Sequence, residues 1–420
     1  MAATIEVQKK TLAVLHSTLE IGGVQQNCFQ LMKYAAEQGY RVVWLYSSPK
    51  RIADAYSGLN GKIEAYPYKI DRSYKNIICD PHFCENESIN LLTFTPGDMH
   101  CAILLAHNNR NCHITPLYIV SNTKGRYNYI ERYYWGIFAS IVYKKFKSII
   151  HQWHDAGLIR YFHIKQYDAY NQSYGINSTS PHDLIWKSLY PLPPLDKEVI
   201  EQRTERKGFN IISVSRFDFP HKQYLLGLIK DFAVLKQKYP HIQLHIVGYG
   251  HDEDKVTSLI RTLPIEVQND ITLYGQKSTD EIVELMKNMH LNISVAGCVG
   301  LGARTGLLSI PARNFCGPEC EVYGYLPESK DKTVATEPGH RAIDFIEEVI
   351  NMTDDEYRRK CVDSYNAYKV TDVDPDFMLK QMSTTQDYSF ERNNSTFFTL
   401  FIKTRDYFWK LGDIVSKMIK

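Results

Sequence analysis

What most limits the fold of this chain is an alternation it runs through twice. Short apolar runs of strand length take turns with stretches whose apolar residues recur every three to four positions. Residues 11–16 read as a strand. Val24, Cys28, Leu31, Met32 and Ala35 then mark one helix face, and Gly39 stands where a glycine ends a helix. Arg41–Tyr46 is a second strand, and residues 101–106 and 117–120 read as two more. Pro191, Pro193 and Pro194 interrupt the pattern, because proline continues neither element. It then restarts: strands are predicted at 210–215, 242–247, 271–274 and 291–295. Leu225, Leu226, Ile229, Phe232 and Ala233 form a helix face, and a second helix covers 280–288. Strand and helix in strict succession imply a parallel sheet wrapped by helices, so the expectation is α/β with two doubly wound domains. The expected division is 1–195, 196–390 and a C-terminal amphipathic helix at 391–420. That helix carries Phe397, Phe401, Phe408, Leu411, Val415 and Met418 near one stripe. It is expected to pack back on the first domain, and its Lys403, Arg405, Lys410, Lys417 and Lys420 leave a peripheral membrane contact open.

The chain's 420 residues are 44% hydrophobic and 23% charged, enough to bury two cores. A net charge of +2 argues against a nucleic-acid partner. Nine cysteines without a repeated spacing do not read as a secreted disulfide framework. Cys316 and Cys320 lack the second pair that a zinc site needs, so buried thiols are expected there. No apolar leader and no window of 18 uncharged apolar residues is visible, which gives a cytoplasmic expectation. The 29 tyrosines suit either sugar-facing surfaces or core edges.

Two α/β domains facing each other would leave a cleft at the carboxyl ends of their sheets, where loop amides and helix N-termini gather anions. Four segments supply suitable groups. Gly22 and Gly23 follow the first strand and open the first helix. Arg216 ends the first strand of the second domain, with Lys222 six residues later. Two cations at that spacing could grip both phosphates of a diphosphate. Gly248 and Gly250 form a tight turn after the 242–247 run, open to a base or a ribose. Gly300, Gly302, Arg304, Thr305 and Gly306 read as a glycine loop leading into a helix over 307–312, with Ser309 in it. His154 beside Asp155 could be a base and its orienter, but its place before the linker suggests a helix start.

In order and spacing these pieces resemble the retaining GT-B glycosyltransferases of family 4 (glycosyl transferases group 1), from about residue 11 to 368. Ile212, Ser213, Ser215 and Arg216, followed by His221 and Lys222, resemble the family's diphosphate grip. Residues 231–235, 239–240, 245–250 and 272–275 follow its next elements, and Tyr190–Pro193 resembles its interdomain linker. The resemblance implies two facing Rossmann-like domains and metal-independent transfer of a sugar from a UDP- or GDP-sugar to an acceptor hydroxyl. Configuration would be retained and no further cofactor required. It implies a glycan or lipid-linked acceptor on the first domain, in bacterial surface polysaccharide or glycoconjugate synthesis. Arg216 and Lys222 would neutralise the leaving diphosphate, and Asn122 would stand where the family often has a histidine facing the donor sugar. Gly22, Gly23, Gly248, Gly250, Gly302, Arg304, Thr305 and Ser309 would line the nucleotide. The family's two glutamates, eight positions apart, fall by register near Leu301 and Ser309, and neither is acidic. That departure keeps a second reading open: a degenerate homologue that binds a nucleotide sugar or stabilises a partner transferase. A sugar-nucleotide epimerase is a third, for which no acidic catalyst can be placed.

Overall fold

The computed structural model describes residues 10–16, 23–47, 63–70, 77–83, 87–109, 112–120, 139–186, 194–204, 208–317, 319–368, 374, 376–377 and 379–380. The chain divides into two compact units, Met1–Tyr190 with Asp372–Lys420, and Pro191–Thr371.

In chain order the first unit contains β1 (Lys10–Leu15), α1 (Gly23–Glu37), β2 (Arg41–Tyr46), β3 (Glu64–Ile70), β4 (Ile77–Cys79), β5 (Ser88–Thr93), α2 (Pro96–Asn108), β6 (His113–Val120), α3 (Ala139–Asp155), β7 (Ile159–Tyr161) and α4 (Ile164–Tyr174). Its sheet has the order β4-β3-β2-β1-β5-β6-β7, parallel except where β4 pairs with β3. Leu12, Ala13, Val14 and Leu15 are all fully buried, as a strand covered on both faces requires. Tyr118, Tyr161, Tyr167, Tyr170 and Tyr174 pack with Trp153 in one buried cluster, so these tyrosines are core. Phe377 and Leu379 lie against the apolar cluster formed by β1, β2 and α1, and the Tyr34 hydroxyl donates to Asp376 at 2.6 Å. The proposed helix at 391–420 lies outside the described residues.

The second unit contains α5 (Lys197–Thr204), β8 (Phe209–Val214), α6 (Tyr224–Lys238), β9 (Ile242–Val247), α7 (Glu253–Arg261), α8 (Ile265–Gln268), β10 (Ile271–Leu273), α9 (Thr279–Lys287), β11 (Leu291–Ser294), α10 (Gly297–Arg304), β12 (Ser309–Pro311), β13 (Glu321–Val322), β14 (His340–Arg341), α11 (Ala342–Asn351) and α12 (Asp354–Ala367). Its main sheet runs β10-β9-β8-β11-β12, and every pairing in it is parallel. The strand order turns around between β8 and β11, so the loops leaving these two neighbouring strands run to opposite sides and open a crevice there. Both units are therefore Rossmann-like.

Three expectations change. Residues 101–106 are not a strand but the middle of α2. Thr95 caps that helix, its hydroxyl accepting from the Asp98 N–H at 3.0 Å, and Pro96 occupies the first turn. Every residue from Asp98 to Leu105 is buried, so the helix has no polar face and no 3.6-residue period to read. The glycine segment at 300–304 is not a loop, and no helix follows at 307–312: it lies inside α10, and β12 comes next. The glycines serve packing. A Cβ on Gly300 would stand 2.6 Å from the Tyr368 ring, and one on Gly302 would stand 2.5 Å from the Asn292 amide. His154 sits in the last turn of α3 rather than at a helix start. Burial lowers its pKa, and its Nδ1 has no hydrogen-bond partner.

Cys316 and Cys320 are free and buried, and Cys112 is in a disulfide. Among the described residues no group of three or more His, Cys, Asp or Glu could hold a metal ion, and no helix is long and apolar enough to cross a membrane.

Candidate functional site

The crevice between β8 and β11 is built from three loops. The first, 215–223, leaves β8. Its course is fixed by the turn after β9, where Phe217 N–H donates to the Tyr249 carbonyl at 2.9 Å and Ser215 N–H to the Val247 carbonyl at 3.0 Å. This explains the two glycines of that turn. A Cβ on Gly248 would lie 1.8 Å from the Ser215 carbonyl oxygen, and one on Gly250 would lie 2.5 Å from that of Phe217. The Cβ side of each glycine is thus taken up by the chain's own backbone, and Gly248 and Gly250 let the Arg216 loop pack this closely.

Arg216 is exposed at the start of this loop, while Lys222, near its end, is buried, 9% exposed. The Lys222 ammonium donates to Asn314 Oδ1 at 3.0 Å. Among the described residues no carboxylate forms an ion pair with it. Burial pulls its pKa down to about 8; the nearby Cys298 thiol and Asp218 act in the opposite direction, and Arg216 lowers it further. Asn314 is itself buried, and its Nδ2 has no partner. The buried ammonium thus has two N–H bonds to spare, and the asparagine that it donates to keeps an unmet NH2; leaving such donors unmet costs about 1–3 kcal/mol each.

The second loop leaves β11. Ser294 Oγ accepts from the Val214 N–H at 3.0 Å and donates to Asn292 Oδ1 at 2.7 Å. Asn292 Nδ2 donates to the Cys298 carbonyl at 3.0 Å, which fixes the first turn of α10 beside the crevice. Ala296, just before that helix, has φ +53, and its N–H donates to the Thr333 carbonyl at 2.6 Å. The third loop follows β12. Asn314 N–H donates to the Ala335 carbonyl at 3.0 Å, and Phe315 N–H to the His221 carbonyl at 3.0 Å.

The sequence-selected residues therefore separate. Arg216 and Lys222 come together, with the N-terminal end of α10 beside them. Gly302, Thr305 and Ser309 do not join them. Gly302 is buried, the Thr305 hydroxyl donates to the Gly302 carbonyl at 2.8 Å, and Ser309 is fully buried with its hydroxyl donating to the Leu307 carbonyl at 3.0 Å. Leu301 packs on an apolar cluster. Arg304 is exposed in the last turn of α10, seven residues from the end that borders the crevice. Gly23 is the first residue of α1, after β1, whereas Gly22 and Asn122 lie outside the described residues. Sequence reasoning missed Asn314, whose partner is 92 positions away, and Asn292 with Ser294, whose polar character inside an apolar strand was the available signal.

Residues 196–297 match the family model described as glycosyl transferases group 1, and this stretch includes Arg216 and Lys222. No curated protein matches the chain in sequence. Among solved structures, a glycosyltransferase from Rickettsia africae is 14% identical with a TM-score of 0.52, over 91% of this chain and 100% of that one. HepE of Anabaena, in complex with UDP and glucose, is 13% identical with a TM-score of 0.54, over 89% and 98%. The E. coli structure described as trehalose-6-phosphate bound with UDP-2-fluoro glucose is 10% identical with a TM-score of 0.50, over 89% and 99%. The chain thus has the two-domain α/β fold of GT-B glycosyltransferases, and residues 196–297 carry the sequence pattern of glycosyl transferases group 1.

Proposed function

We propose that the protein is a retaining, metal-independent glycosyltransferase that takes a sugar from a nucleotide diphosphate donor. One observation carries this reading: the buried Lys222 ammonium shares its crevice with the unmet amide of Asn314 and with Arg216, and no described carboxylate answers it. Such a set of donors matches a diphosphate, which brings several anionic oxygens at once. As the bond to the sugar breaks, negative charge grows on the leaving diphosphate. Cations already in place there lower the barrier without having to reorganise. The leaving oxygen can take the acceptor's proton, so no strong protein base is needed. The similar structures with UDP and with a UDP-sugar make a uridine donor the first to test. A glycan or lipid-linked acceptor on the first unit follows from the family resemblance.

The test is binding of UDP, GDP, UDP-glucose and GDP-mannose, followed by calorimetry, to the wild type and to Lys222→Ala with Arg216→Ala. The double variant is expected to lose at least about 100-fold in affinity, the cost of about two charge-assisted contacts. Unchanged binding would overturn the reading.

A second reading has its own observation. The positions where the family's glutamates fall by register, Leu301 and Ser309, are an apolar contact and a buried hydroxyl. A nucleotide-sugar-binding homologue without transfer activity would bind the same ligands. It would give no hydrolysis or transfer of UDP-glucose or GDP-mannose with any acceptor.

A further inference from the structure

Two non-glycine residues among those described have positive φ, Ala296 at +53 and Phe315 at +55. Both lie at the carboxyl end of the second unit's sheet, in the loops after β11 and β12. Both loops are tied to the same short segment: Ala296 N–H reaches the Thr333 carbonyl, and Asn314 N–H, one residue before Phe315, reaches that of Ala335. Left-handed backbone is costly for a residue with a bulky side chain, and it persists where the surroundings enforce it, most often at functional sites.

What the strained turn at 315 presents is an aromatic ring. Phe315 is 55% exposed, an unusual place for a ring of its size. It is held rather than loose: its N–H is bonded to the His221 carbonyl, and its ring stacks on the His221 ring at 4.6 Å and 29°. Its neighbours on either side of this pairing, Asn314 and Lys222, are the two buried donors of the crevice. The ring is therefore fixed by the same two loops that fix the diphosphate grip.

We propose that Phe315 is a stacking platform for the sugar ring of the donor. The proposal rests on reading the Lys222 crevice as a nucleotide diphosphate sugar site and assigns a further contact within it. The strand order supplies the direction. Lys222 follows β8, α10 follows β11, and Phe315 follows β12, so the ring comes to the β8 loop from the β12 side of the sheet, and it meets that loop at His221, the residue next to Lys222. A sugar leaving a diphosphate held at Lys222 toward the β12 side would meet this ring first. The nucleoside would extend the other way, over β9 and β10. A pyranose suits the ring because its C–H face is apolar and faintly positive, matching the negative face of a π system, while its hydroxyls stay free at the rim.

The test compares UDP with UDP-glucose, and GDP with GDP-mannose, by calorimetry on the full chain. The variants are Phe315→Gly, Phe315→Trp and, as a control on the crevice, Lys222→Met. Phe315→Gly removes the ring and relieves the positive φ, so its melting temperature should not fall. The wild type is expected to bind one sugar conjugate more tightly than its free nucleotide. Phe315→Gly should weaken that conjugate about five- to tenfold while leaving the nucleotide unchanged, and Phe315→Trp should retain the difference. Equal loss for nucleotide and conjugate would place the ring under the base instead and overturn the proposal. So would no loss at all, or a wild type with no preference for either conjugate. The control separates the two failures. If Lys222→Met abolishes nucleotide binding and Phe315→Gly is silent, the crevice stands and the platform falls. If Lys222→Met is also silent, the diphosphate reading falls with it.

Discussion

Lys222 links stability and binding through one proton. Its ordinary pKa of 10.5 drops to about 8 in the folded chain. Between those values the unfolded chain holds a proton that the folded chain has released, so this group's contribution to stability rises with pH across that window. Below about pH 8 the charge is buried at a cost. Lys222→Met should therefore raise the stability of the ligand-free protein at pH 7, by on the order of 2 kcal/mol, with the difference fading by pH 10. Thermal melts of both proteins at several pH values check this. Nucleotide affinity should move the opposite way and fall as pH rises through about 8, because an uncharged amine no longer attracts the diphosphate. Gly248 gives a second prediction at this scale. Gly248→Ala forces a methyl group to 1.8 Å from a backbone oxygen that cannot step aside. It should destabilise by about 2 kcal/mol or more. Because the displaced backbone carries Arg216, nucleotide binding measured on the surviving folded fraction should weaken too.

At the scale of elements, the second unit depends on how its helix ends are met. Arg203 of α5 is 2% exposed, and its guanidinium donates to the carbonyls of Met286 at 2.9 Å, Thr305 at 3.2 Å and Lys287 at 3.3 Å. These oxygens belong to the C-terminal ends of α9 and α10, where unpaired carbonyls and the helix dipole both favour a cation. Arg203→Leu should cost about 2 kcal/mol, since stranding three carbonyls outweighs relieving one buried charge. Denaturant unfolding measures it, and Arg203→Lys should recover little because an ammonium lacks the planar fork. The same scale shows where the sequence is hard to read. β2, β9 and α6 follow their apolar patterns closely, because one or both faces meet the core in a regular way. Helix α10 does not, because Gly300 and Gly302 lower its helical propensity and earn their place only through contacts with Tyr368, Asn292 and Ser309. Helix α2 is hidden for the opposite reason: it is buried on every side from Asp98 to Leu105.

At the scale of the whole molecule, the chain returns to its first unit after completing its second. Phe377 and Leu379 pack on the cluster of β1, β2 and α1. Ending the chain at Thr371 should lower the unfolding temperature of the first unit by several degrees, because two apolar side chains worth about 1.5–3 kcal/mol each lose their packing partners. The transition of the second unit should stay where it is, and differential scanning calorimetry distinguishes the two. What the sequence determined alone is the class of fold and the strand that leads into Arg216. Both follow from local periodicity, which burial on a sheet imposes on neighbouring residues. It also marked Lys222, through a spacing of six. It could not separate Lys222 from Ser309, because both are polar and both could bind a ligand. Only the tertiary structure did so, by burying the Ser309 hydroxyl against a carbonyl of its own loop and leaving the Lys222 ammonium and the Asn314 amide with donors to spare. Whether a polar group is used up or available depends on partners up to 92 positions away, and no local pattern encodes that.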